Sequence, residues 1–129
     1  MARTNAGLVW QAGVMGSTSS NGTGTYAPAT YIGLSANTDT PSATDTILAG
    51  EISSGTLIRA QAYYSYSSGT HSYSLSHQFT SDQTITIAKI GIFTDTYQNG
   101  GTMFIETLLS SAITLHSGDT LSITETVTI

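Results

Sequence analysis

The chain has 129 residues and a net charge of −5, from eight acids against Arg3, Arg59 and Lys89. That length fits one domain with a real core. Three cations exclude the basic patch that duplex nucleic acid or an anionic membrane surface requires. The absence of cysteine excludes disulfides, thiolate metal sites and thiol catalysis. Charged residues are 9% of the chain, against about 25% in ordinary domains, so the 18 serines and 23 threonines must supply most of the polar surface. No apolar run reaches the ~18 residues of a bilayer span, and "MARTNAGLVW" lacks a signal peptide's apolar core. Folding in a cytoplasm is expected.

In chain order, "TNAGLVWQAGVMG" predicts a short helix within an N-terminal arm, residues 1–16. Thr4 or Asn5 can cap it, and Leu8, Ala12 and Met15 share a face. Residues 17–28 are rich in Gly, Ser and Thr and read as a loop. Thr30 to Ala36 is a short strand. "NTDTPSATDT" is a loop in which Asp39 and Asp45 cap turns or, as the less favoured reading, hold a calcium ion. "ILAGEISSG" reads either as a helical turn or as an irregular connection.

Leu57 to Thr80 predicts a hairpin turning at Ser68-Gly69. The expected register puts Tyr66 opposite His71, Tyr64 opposite Tyr73, Ala62 opposite Leu75 and Ile58 opposite Phe79 on one apolar face. Arg59, Gln61 and Tyr63 then share the polar face and form a small candidate contact site, since aromatic and Arg residues anchor interfaces. Core packing accounts for Tyr64, Tyr66 and Tyr73.

"QTITIAKIGIFT" switches apolar parity between Ile87 and Ile90. Either the strand is buried on both faces or a bulge near Ala88-Lys89 resets it. Asn99-Gly100 is the expected apex of the next turn, "TMFIETLL" a further strand, and Ile113 to Leu115 a short separate one. In "SGDTLSITETVTI" the odd positions Leu121, Ile123, Val127 and Ile129 are apolar and the even ones hydroxylic, with Glu125 as the exception. The sum is an all-β chain: one antiparallel sandwich or barrel over residues 1–129, with about seven strands and one short N-terminal helix.

No catalytic, cofactor or metal motif stands out. His71 and His77 are six residues apart, about 20 Å along a strand, too far for one metal. Glu106, Glu125 and Lys89 sit among apolar neighbours, where an unpaired charge is costly. Either one glutamate pairs with Lys89 or their faces are solvated. Glu125 is a candidate partner for Lys89 or for another chain. A hydrolase built on both glutamates would need them in one cleft.

The segments "TNAGLVWQA", "YIGLSANTDTPSATDTILAGEI", "IAKIGIFT", "GGTMFIETLL" and "LHSGDTLSITETVTI" occur in an order that resembles a group of small virion proteins of tailed bacteriophages. The likeness covers nearly the whole chain, although Lys89-Ile90 stands where many of those proteins carry an acid and a small residue. The resemblance implies a noncatalytic structural role on the virion: a capsid decoration (cement) protein binding across capsomers, or a tail, tube or fibre component. Its partners would be the major capsid protein and copies of itself, with a trimer guessed from the threefold positions that such proteins occupy. No cofactor is implied. The interface candidates are Arg3, Trp10, Arg59, Tyr63, Lys89 and Glu125, with Arg3 and Trp10 anchoring a contact arm. A glycan-binding surface using Tyr63 and Arg59 is the alternative from another class.

Overall fold

The computed structural model describes residues 2–9, 28–98 and 100–128. These residues form β1 (Ala2–Arg3), β2 (Tyr31–Ser35), β3 (Ala60–Gln61), β4 (Tyr63–Tyr66), β5 (Ser72–Thr80), β6 (Ile85–Phe93), β7 (Met103–Leu115) and β8 (Thr120–Thr128). One antiparallel sheet has the order β1-β7-β6-β2-β3 and the other β4-β5-β8. Their inner faces meet in an apolar core, with Leu75, Phe79, Leu121, Ile123 and Val127 from the small sheet against Ile32, Leu34, Ile90, Ile92 and Ile105 from the large one. The expected all-β antiparallel sandwich is the observed fold. Strand β8 alternates as its sequence dictates, odd positions inward and even positions exposed, from Thr120 to Thr128.

The N-terminal segment is part of the large sheet. Ala2 and Arg3 pair with Glu106 and Ile105 of β7. Thr4 then caps a helical turn over residues 5–9, its Oγ1 accepting the Gly7 N–H at 2.8 Å. The rest of the predicted helix, the 17–28 loop and Trp10 fall outside the described residues.

The hairpin differs from expectation in two respects. It turns at Ser68-Gly69, where Gly69 has φ +87°, but Tyr64 faces Leu75 and Tyr66 faces Tyr73. That register lies two residues from the expected one, so every side chain keeps its face. The physical reason is a wider end: Thr70 N–H bonds Ser67 O, and the strands pair only beyond Tyr66 and Tyr73. The lower half of the first strand also leaves the hairpin. Ala60 and Gln61 pair with β2 in the other sheet, and the chain changes sheets at Ala62. The Ile58–Phe79 pair therefore does not form.

Strand β6 is buried on both faces from Ile87 to Phe93, and its register also resets at Ala88. The extra residues belong to the partner strand: Leu109 to Ala112 of β7 stand against Ala88 alone. This irregularity lets "TMFIETLL" and Ile113–Leu115 run on as one strand where two were expected.

Candidate functional site

The outer face of the large sheet is roofed by the chain between Ala36 and Glu51. Ser35 Oγ donates to Ala49 O, Ile52 N–H donates to Leu34 O, and Glu51 bridges back to Ser35. Beneath this roof Phe93 lies across two glycines. A Cβ on Gly33 would stand 2.9 Å, and one on Gly91 2.8 Å, from the ring. The Arg59 guanidinium stacks over the same ring, 3.5 Å from its centroid. Its Nε and Nη2 donate to Glu51 Oε2 and Oε1 at 2.9 and 2.7 Å, and its Nη1 to Asp95 O and Gly100 O. Arg59 is thus buried and fully engaged, and it is not on a polar hairpin face beside Tyr63. The sheet change at Ala62 sends the two residues to different layers.

Lys89 lies on the same outer face, 1% exposed. Its Nζ is 3.0 Å from Glu106 Oε1 and donates to Asn37 Oδ1 at 2.8 Å. Glu106 is the glutamate that pairs with Lys89. A Lys89–Glu125 pair is excluded, because Glu125 stands across the sandwich on β8. Adjacent Glu106 and Thr107 point to opposite faces of β7, and Thr107 Oγ1 donates to Glu125 at 3.1 Å. The two glutamates consequently share no cleft.

Glu106 Oε2 is buried without a hydrogen-bond donor. The Asp45 carboxyl lines the same cleft. Burial first, then the Asp45 contact, raises the Glu106 pKa above the usual glutamate value, while Lys89 opposes the rise. The same contact lowers Asp45, helped by the Ser42 N–H. Asp45 caps its turn as expected, accepting the Ser42 N–H at 3.0 Å. Its place in the cleft beside Glu106 was not legible in the loop sequence. Among the described residues, no group of three or more His, Asp or Glu is placed to hold a metal ion.

The small sheet presents the opposite chemistry. Its outer face pairs Ser72, Ser74, Ser76 and Gln78 with Thr128, Thr126, Thr124 and Ser122. Edge strand β4 is exposed throughout: Tyr63 is 73%, Tyr64 54% and Tyr66 54% exposed. The expectation that Tyr64 and Tyr66 are core residues fails, because β4 is the edge strand of the small sheet and is exposed along its length. Only Tyr73 packs on the core. The Tyr64 and Tyr73 rings lie 5.5 Å apart and border a hollow of about 590 Å³ with Tyr66, Thr70 and His71. Burial, and then Tyr64, raises the Tyr73 pKa. On the outer face a shallow groove of about 670 Å³ runs between Gln61, Tyr63, Gln78 and Thr124.

Arg3 donates from Nη2 to Thr128 O and sits 6.0 Å from the Phe104 ring centroid, which ties β1 to the end of β8. Glu125 is buried on the inner face, and burial, opposed by the Thr107 hydroxyl, raises its pKa. His116 is exposed beside Asp119 at 3.4 Å, and His77 packs edge-on to Phe79 at 4.6 Å. Of the six interface candidates, Tyr63 is openly exposed and Arg3 partly so. Arg59, Lys89 and Glu125 are buried, and Trp10 lies outside the described residues. Glu51 and Asn37 complete the buried polar layer and were not anticipated. The Asn37-Thr38-Asp39 run was their only local signal, as an Asx turn.

Compared with family models, curated proteins and solved structures, the chain matches none of them.

Proposed function

We propose that the protein is a noncatalytic structural subunit of a bacteriophage particle, a decoration protein that binds copies of itself and the capsid shell. The motif order described above points to the virion. The observation that carries an assembly role is the distribution of charge. Two of the three cations are neutralised inside the fold, while the small sheet offers serine and threonine hydroxyls and a tyrosine-bearing edge. Such a surface can meet a neighbour without desolvating ions, and exposed tyrosines anchor interfaces. Decoration then stabilises a mature shell by mass action.

Cryo-electron microscopy of the intact particle tests this reading. Density of this sandwich across capsomer seams is the expected result. Density confined to the tail would favour a tail, tube or fibre component, and absence from the particle would overturn the virion reading. A glycan-binding surface is the second reading, supported by the neutral groove in which Tyr63 stands between Gln61 and Gln78. It no longer includes Arg59. A glycan array with Tyr63→Ala as control decides it, and no binding on the array removes it.

A further inference from the structure

We propose that Lys89 and Asn37 become joined by an intramolecular isopeptide bond, formed by the protein itself with release of ammonia. The inference stands on the buried layer alone and is independent of the virion reading.

The topology places the three reacting groups side by side. Lys89 is on β6, between β2 and β7. It faces Ser35 of β2, and Asn37 follows two residues later. Glu106 reaches it from β7. Nζ lies 2.8 Å from Asn37 Oδ1. An amide C=O is about 1.23 Å long, so the electrophilic Cγ is within about 4 Å of Nζ, close to a near-attack distance. The carboxamide is held at both ends. The Asp39 backbone N–H donates to Oδ1 at 3.0 Å, where negative charge would develop. Its Nδ2 donates to Asp39 Oδ2 at 3.3 Å, which orients the departing nitrogen. Glu106 Oε1 touches the amine and Oε2 is unpartnered, so one carboxyl group is free to move a proton between the two nitrogens. All line a cleft of only about 280 Å³ beneath the roofing loop.

The step balances without oxidant, water or cofactor. The Glu106 carboxylate takes a proton from the Lys89 ammonium. The freed Nζ lone pair adds to Asn37 Cγ, and the carbonyl pair moves onto Oδ1 beside the Asp39 N–H. Glu106 gives its proton to Nδ2 and takes one from Nζ. The Oδ1 pair returns, the Cγ–Nδ2 bond breaks and ammonia leaves, with Glu106 protonated. Burial favours that protonated end state. Each chain reacts once, so this is self-modification and not turnover.

Intact-mass spectrometry of the denatured, purified full-length chain is the test. The expected mass is lower than the sequence mass by one ammonia, and digestion should yield a branched peptide containing residues 37 and 89. Asn37→Ala and Glu106→Gln should each show their full sequence mass. Asn37→Asp should lose water instead and arrive at the wild-type cross-linked mass. A folded wild-type chain at its full sequence mass overturns the proposal, and this measurement does not depend on any variant folding. An ammonia loss traced by digestion to Asn21-Gly22 or Asn99-Gly100 overturns it as well, since Asn-Gly pairs can cyclise alone.

Discussion

Between the two sheets, side chains such as Leu75, Phe79, Ile92 and Val127 pack with no ion pair among them. On the other side of the large sheet, under the roofing chain, Arg59–Glu51 and Lys89–Glu106 share a thin layer with the small apolar cluster of Leu48, Phe93 and Met103. The first interior is held by burial, which is non-directional and tolerates exchange of one apolar residue for another. The second is held by directed contacts that must be complete. A buried pair adds little over a well-packed apolar substitute, yet breaking it leaves a stranded charge. A small chain with few charges thus keeps most of its cations where geometry, and not solvent, neutralises them.

The largest effect on this contrast should come from Glu51→Ala. It strands the Arg59 guanidinium against Phe93 with only carbonyl partners, and should cost about 3–5 kcal/mol, read as a lower denaturant midpoint at unchanged slope. A loss under about 1 kcal/mol would mean that solvent reaches the layer, and the contrast would collapse. Leu75→Ala in the apolar interior should cost somewhat less, about 2–4 kcal/mol, by the same measurement. If it costs nothing, the sheets do not pack through Leu75.

The pH profile comes next. Glu106 and Glu125 both titrate above the ordinary glutamate value of 4.5, each chiefly through burial. Their contribution to stability is complete below that value and is lost as pH rises through the raised folded pKa values. Asp45 is lowered from 3.8, so its contribution is present above that value and is lost as pH falls through the lowered one. Urea midpoints from about pH 3 to about pH 8 should therefore peak in mild acid and decline toward alkali. Glu125→Gln should flatten the alkaline decline and leave the acid limb alone; an unchanged alkaline limb would show that Glu125 is solvated. The smallest effect belongs to Tyr63→Ala, within about 0.5 kcal/mol of wild type in stability; under the proposed decoration role it should bind shells more weakly. A large loss of stability would place Tyr63 in the fold and not in an interface.

Glu125 has a structural reading that its position in the sequence concealed. Strand β8 is an edge of the small sheet, and an inward-pointing charge is one way an edge strand discourages pairing with foreign strands. Its raised pKa and its Thr107 partner fit that role. The exchange to Gln should accordingly act on the isolated subunit through pH, before any assembly is considered.

How much was legible follows from the range of each interaction. The alternation of β8, the Ser68-Gly69 turn, the register reset at Ala88 and the Thr4 cap were readable, because period-two burial and turn chemistry depend on neighbours a few residues apart. The hairpin register was readable in parity but not in offset, since a shift of two residues preserves every face. The sequence by itself determined an all-β antiparallel chain with a hydroxyl-rich surface and a few charges it had to hide. Only the tertiary structure decided where they hide. Arg59 meets Glu51 because the chain changes sheets at Ala62. Lys89 meets Asn37 and Glu106 because β6 lies between β2 and β7, and strand order is set by long-range packing that no local pattern encodes.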